Sequence, residues 1–224
     1  MKDYNLRDVL RNQEKIVEEL ISNLSKNEKE FELFNFIVKN SGMSCSRNFS
    51  DLVALFYLGK KKSYLEIGAG EPIIGSDTFL LEQKMLWTGI QVEPDLRSFN
   101  KLQTTRTSSI QINAAVVGDE DKSSYFLDPD KMSLSKKKKN FLQVQTISLE
   151  YIKRKHGTNF DALFIDVEGG ELSIISSKLF MDFNFKYINI ERIWNHQKII
   201  EILTNYGYNQ IGASFSSYSA WFIK

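Results

Sequence analysis

Carboxylates recur at the ends of apolar runs in this chain, and glycines or small residues stand beside them. In YLEIGAG, residues 64–70, Glu66 lies two positions before the turn Gly68-Ala69-Gly70. A second run, Trp87 to Val92, ends in Glu93-Pro94, and a third, SIQINAAV, ends in Asn113-Ala114-Ala115. The densest cluster is DALFIDVEGGE, where Asp166, Glu168 and Glu171 crowd the end of an apolar run broken by Gly169-Gly170. Glycines let a backbone approach a ligand closely, and a carboxylate at a strand tip can accept hydrogen bonds from ribose hydroxyls. Ala114 leaves room for a flat ring. Acids sharing one rim raise one another's pKa, so one of Asp166 and Glu168 can take a proton from a substrate hydroxyl. The same oxygens suit a hard divalent ion. The residues do not choose between these two uses, and no metal ligand is assigned.

The glycine turn narrows the choice of ligand. A dinucleotide fingerprint runs G-x-G-x-x-G, but Ile73 occupies the third glycine position and Gly75 comes two residues late. Glu71 would repel a pyrophosphate. Glu66 suits instead a nucleoside ligand with a cationic end, such as the ammonium or sulfonium of S-adenosylmethionine. A nicotinamide-dependent Rossmann oxidoreductase is the alternative, disfavoured by Ile73 and by the absence of an obvious Tyr-x-x-x-Lys pair. A catalytically silent binding module with the same fold is a further alternative. The fifth strand tip adds Glu191, followed by His196, a candidate to assist the chemistry. His156 fits a helix C-terminus.

These residues need a parallel sheet to bring them to one edge. Strands are predicted at 63–67, 88–93, 109–113, 161–166 and 186–191, with two last strands near 208–213 and 219–224. Helices are predicted at about 76–86, 95–103, 147–155, 171–180 and 195–206. Alternating strand and helix implies an α/β fold with a largely parallel sheet covered on both faces. The short polar link 215–218 implies a closing antiparallel hairpin, since a parallel crossover needs a dozen or more residues. Residues 5–40 read as helix, with a second stretch from about Glu28 to Val38 ending near Ser41-Gly42. Another helix spans Phe49 to Leu58, beginning after Asn48 or Ser50 and ending at Gly59. Residues 1–60 form an N-terminal helical segment, a cap or oligomer support with a dimer possible, and 61–224 the α/β domain. The insert between 118 and 145, with Lys136 to Lys139, reads as a solvated loop with one short strand.

Composition sets broad bounds. The 224 residues are 42% hydrophobic and 25% charged, ordinary for a globular protein. A net charge of +1, from 29 basic and 28 acidic residues, favours neither nucleic acid nor an anionic membrane. Cys45 is the only cysteine, which excludes an internal disulfide, and it reads as a half-buried thiol in a helical region. The first residues lack a signal-like apolar core and no run spans a membrane, so the expected compartment is the cytoplasm.

Taken together, YLEIGAG, SDTFLLEQKMLWTGIQVEPD, INAAV and VQTISLEYI followed by FIDVEGGEL resemble the FkbM family of S-adenosylmethionine-dependent methyltransferases, over roughly Ser63 to Gly207. The resemblance implies a Rossmann-like class I methyltransferase fold, seven-stranded and mostly parallel. It implies O-methylation of a hydroxyl on a sugar, glycan or natural product. By position, Glu66, Gly68, Ala69 and Gly70 would border the methionine end of the cofactor, with Ser76 opening the following helix. Glu93 and Pro94 would meet the ribose, and Asn113 and Ala114 the adenine. Asp166 and Glu168 would face the transferable methyl and the substrate. Asp77 stands where such sequences carry Asn, and Glu191 is followed by Arg192 rather than by His, so that role would be vacant or pass to His196.

Overall fold

In the strand Ser63–Ile67, Tyr64 and Glu66 point to one face while Leu65 and Ile67 point to the other, and all four are buried. Burial on both faces is what a strand experiences in a sheet covered by helices on each side. The computed structural model describes residues 27–118, 125–127, 134–135, 142–191, 196–213, 216 and 218–224. The main sheet contains β1 (Ser63–Ile67), β2 (Thr88–Val92), β3 (Ile110–Ile112), β9 (Ala162–Ile165), β10 (Tyr187–Glu191), β11 (Asn209–Ile211) and β12 (Ser219–Ile223). Its order is β11-β12-β10-β9-β1-β2-β3. Every pairing is parallel except those of β12, which runs antiparallel to both β10 and β11. This is the seven-stranded class I methyltransferase arrangement.

The helices are α1 (Glu28–Asn40), α2 (Ser50–Leu58), α3 (Phe79–Met85), α4 (Leu96–Thr105), α5 (Leu149–His156), α6 (Glu171–Ile175) and α7 (His196–Asn205). One sheet face packs Leu65, Ile67, Leu163 and Ile188 against Ile152, Ile174 and Leu203 from α5, α6 and α7. The other packs Tyr64, Phe164, Tyr187 and Trp221 against Leu33 and Ile37 of α1, Leu52 and Val53 of α2, and Leu81 of α3. Residues 28–58 therefore share their core with the sheet.

Several local expectations need correction. The second helical stretch expected from about Glu28 does begin there, where the Asn27 side chain accepts from the Glu30 amide and caps that end. Residues 1–26 lie outside the described residues, as do Lys136 to Lys139. The helix expected from Phe49 starts one residue later, at Ser50, because Phe49 lies in the left-handed region at φ 60°; Ser46 Oγ accepts from the amides of Asn48 and Ser50. Cys45 is half-buried, but it sits in an extended stretch after a short 3-10 turn (Ser41–Met43), not in a helix. The helix predicted over 171–180 stops at Ile175, and a separate 3-10 turn follows at Phe180–Asp182. Ser177 ends it locally, its hydroxyl accepting from the Leu179 amide.

The insert carries more strand than expected. Tyr125–Leu127 (β5), Leu134–Ser135 (β6) and Leu142–Val144 (β7) form a three-stranded antiparallel sheet, ordered β6-β5-β7. Ala115–Val116 (β4) pairs in parallel with Thr146–Ile147 (β8), tying both ends of the insert together. Strands of two or three residues leave too short a stretch for a period-two pattern to register.

The tightest backbone approach joins β1 to β9. At Gly68, φ is 85°, and a Cβ there would lie 1.7 Å from the Asp166 carbonyl oxygen. The turn can sit against the β9 tip only with hydrogen at that position. We expect Gly68→Ala to destabilise the protein by about 3 kcal/mol or more in denaturant titration; a loss under about 1 kcal/mol would show that the approach is not needed.

Candidate active site

At the carboxyl edge of the sheet a cleft of about 480 Å³ opens between the tips of β1, β2 and β9. That volume lies in the range of small-molecule sites, and such edges are where open α/β sheets bind ligands. Gly68 and Gly70 form one wall, Pro94, Asp95, Arg97 and Ser98 another, and Ala114 with Val116 the floor. Asp166, Val167 and Glu168 close one end. A Cβ at Gly70 would meet nothing within 4 Å, so the turn presents bare backbone to open space.

The wall is positioned by buried hydrogen bonds. Gly68 and Ala69 amides donate to the Val92 carbonyl at 2.8 and 3.2 Å. Glu93 is 3% exposed; its Oε2 accepts from the Gly70 amide and its Oε1 from the Asp95 amide, both at 2.7 Å. Burial raises the Glu93 pKa to about 7, against the opposing pull of those two amides. Glu93 thus clamps the glycine turn to the start of α4.

Sheet alternation decides where Glu66 goes. It points to the face of Tyr64, under the loop before α3, where its Oε2 accepts from Thr78 Oγ1 at 2.8 Å and Gln91 Nε2 at 2.7 Å. Burial raises its pKa, and nearby Arg106 lowers it. Arg106 is wholly buried at the end of α4 and is the hub of this region. Its guanidinium pairs with Glu82 at 2.8 Å and donates to Thr78 Oγ1, Ser76 Oγ and the Pro72 carbonyl. The loop from Pro72 to Thr78 is therefore held from below, which shortens the helix predicted to start at 76. No local pattern marks Arg106 as buried, since nothing near it in sequence announces Glu82 as its partner.

The sequence-predicted residues divide accordingly. Gly68, Gly70, Pro94, Ala114, Asp166 and Glu168 line the larger cleft. Glu66 and Ala69 line a smaller adjoining pocket. Ser76 turns inward to Arg106 and to the amides of Thr78 and Phe79. Asn113 donates to the carbonyls of Glu93 and Pro94, bracing β2 against β3. His196 opens α7 half-buried and lines neither cleft. Arg192 and Trp194 lie outside the described residues.

Asp166 and Glu168 are both exposed at the β9 tip. The third acid joining them is Glu191 from the tip of β10, and oxygens of all three lie within 4.8 Å of one another. Glu171 does not take that place: it is 1% exposed, and its Oε1 accepts from the amides of Val167 and Gly169. It shapes the loop in which Glu168 adopts φ 52°, a left-handed conformation uncommon for a side-chain-bearing residue. Burial, a hydrogen bond with Asp166 and the neighbouring acids push the Glu191 pKa up to about 9. One proton is thus retained in the cluster at neutral pH. Three such oxygens could also ligate a hard divalent ion, which would have to displace that proton.

Asp166 borders both clefts. The smaller one adds Asn48, Asp77, Asn189, Glu191 and Ser219, all polar. Asp77 accepts from Ser46 Oγ at 2.5 Å and Asn189 Nδ2 at 2.8 Å, and burial raises its pKa to about 8. Arg47 reaches both clefts from the segment before α2, a contribution that no motif signalled. Around the larger cleft, the acids Glu71, Asp95, Asp166 and Glu168 face the bases Arg47, Arg97 and Lys101. Such a lining suits a cationic or zwitterionic ligand better than a pyrophosphate. Among the described residues no helix is long and apolar enough to cross a membrane.

A Methyltransferase FkbM domain matches residues 66–209. No curated protein matches the chain. Fibrillarin from Aeropyrum pernix, solved with natively bound S-adenosyl-L-methionine, is similar at 13% identity and TM-score 0.46, over 79% of this chain and 76% of that one. A TehB-like SAM-dependent methyltransferase from Corynebacterium glutamicum is similar at 11% identity and TM-score 0.47, over 83% and 92%. A precorrin-6y C5,15-methyltransferase from Geobacter metallireducens is similar at 15% identity and TM-score 0.45, over 78% and 87%. At these scores the assignment rests on the family match and on the observed strand order. The chain belongs to the FkbM methyltransferase family, the S-adenosylmethionine-dependent enzymes whose sequence pattern it carries from Glu66 to Asn209.

Proposed function

We propose that this methyltransferase transfers the methyl group to a hydroxyl oxygen of a polyhydroxylated acceptor, such as a sugar or glycan, with Asp166 as the base. The observation that carries the proposal is the position of Asp166 on the boundary between the larger cleft and the polar pocket. S-adenosylmethionine, when bound, supplies an electrophilic methyl on a cationic sulfonium. The glycine wall and the Glu93 clamp hold the larger cleft open for its nucleoside. Asn48, Asn189 and Ser219 offer donors and acceptors to acceptor hydroxyls. Glu191 Oε2 is buried without a hydrogen-bond partner among the described residues, an unmet capacity that an acceptor hydroxyl would satisfy. With Glu191 holding its proton, Asp166 Oδ can take the hydroxyl proton as the oxygen gains the methyl. Positioning supplies much of the remaining rate, because the nucleophile must approach in line with the breaking carbon–sulfur bond.

Family membership sets aside the nicotinamide-dependent alternative. Carbon-13-methyl donor incubated with a panel of monosaccharides and glycosides, read by NMR, should place the label on oxygen. With an acceptor identified this way, Asp166→Asn should lower kcat at saturating methyl donor by about 10²-fold or more. Label on nitrogen or carbon, or undiminished turnover in the variant, would contradict the proposal.

The retained protons also predict a pH dependence of stability. Asp77, Glu93 and Glu191 titrate in the folded protein near 8, 7 and 9, above ordinary values of 3.8 for Asp and 4.5 for Glu. The folded state binds more protons than the unfolded chain between these limits, so their contribution falls as pH rises and levels off above about 9. Glu191→Gln removes one of the three. Across pH 5 to 9 its melting temperature should rise relative to that of wild type; a pH-independent difference would show that Glu191 holds no extra proton.

A further inference from the structure

Three cations line the larger cleft, and two are already engaged. Arg97 pairs with Asp95 at 3.3 Å and Lys101 with Glu71 at 2.5 Å, both toward the β2 and α4 side. Arg47 lies at the other end, with Gly68, Asp166 and Glu168, and forms no hydrogen bond or ion pair among the described residues. It is nevertheless close enough to oppose the upward shift of the Glu168 pKa. Its backbone is not loose. Ser46 bridges to Gly75, the Gly75 amide donates to the Cys45 carbonyl at 2.8 Å, and Asn48 Nδ2 donates to Ser219 Oγ at 3.1 Å. The segment is pinned on both sides of Arg47 while the guanidinium stays exposed.

The amino-acid tail of the methyl donor is a zwitterion. Its ammonium matches the acids at this end of the cleft, but those same acids would repel its carboxylate. A cation is needed within the same few ångströms, and Arg47 is the unengaged one among the described residues lining the cleft. We propose that Arg47 binds the α-carboxylate of the cofactor's methionine portion, so the segment before α2 completes a site otherwise built from strand tips. A planar guanidinium can meet a carboxylate through two parallel hydrogen bonds.

The test compares two ligands by titration calorimetry. S-adenosylhomocysteine carries the amino-acid tail; 5′-methylthioadenosine has the same nucleoside and a methyl in its place. Wild type should bind the first more tightly. Arg47→Gln should weaken S-adenosylhomocysteine by about 10- to 100-fold, the scale of a charged hydrogen-bonded pair. Methylthioadenosine should stay within about twofold, and Arg47→Lys should recover part of the loss. Because Arg47 is exposed, the variants should melt close to wild type. Equal weakening of both ligands, an unchanged S-adenosylhomocysteine affinity, or a wild type that does not distinguish the two would each overturn the assignment.

Discussion

The contact on which the site depends is the one between the first glycine of the turn and the β9 tip. Because Gly68 lacks a side chain, the chain leaving β1 passes directly against the Asp166 carbonyl, where a Cβ would overlap it at 1.7 Å. Two consequences follow from this single approach. The backbone of the turn becomes one wall of the cleft, and the carboxylate of Asp166 is brought to that wall's end. Any bulkier residue would push the two strand tips apart and separate the glycine wall of the cleft from the acids at the β9 tip.

Around that contact, buried polar groups do the holding. Arg106 and Glu82 fasten the loop after the turn from within the face of α1, α2 and α3, and Glu93 fastens the turn itself to α4. These groups are expensive to bury unless fully partnered, and here they are hydrogen-bonded. The exposed rim is different in kind: Asp166, Glu168 and Arg47 remain available to a ligand. The molecule therefore separates carboxylates that build the cleft from carboxylates that face it.

That separation is what the sequence could not express. Strand positions, their order of burial and the closing hairpin were legible because period-two apolar runs and short links follow directly from backbone geometry. The crowding of acids at β9 was legible too, because residues two apart on a strand end emerge together. Whether a given acid faces cleft or core was not. Glu66 and Glu93 look alike as strand-end acids, yet one lies under the loop and the other clamps two amides. Glu171 leaves the exposed cluster because its carboxylate, at a helix start, folds back onto the amides of Val167 and Gly169, and Glu191 from the tip of β10 joins Asp166 and Glu168 instead. Arg106 escaped notice because its partners lie far away in sequence, and Arg47 because no motif places its segment beside the strand tips.

A crystal structure of the protein with S-adenosylhomocysteine would test the central claim most directly. The account predicts the nucleoside between Gly70, Pro94 and Ala114, with the sulfur at the end of the cleft bordered by Asp166. A sulfur pointing away from Asp166, or a nucleoside seated outside this cleft, would contradict it.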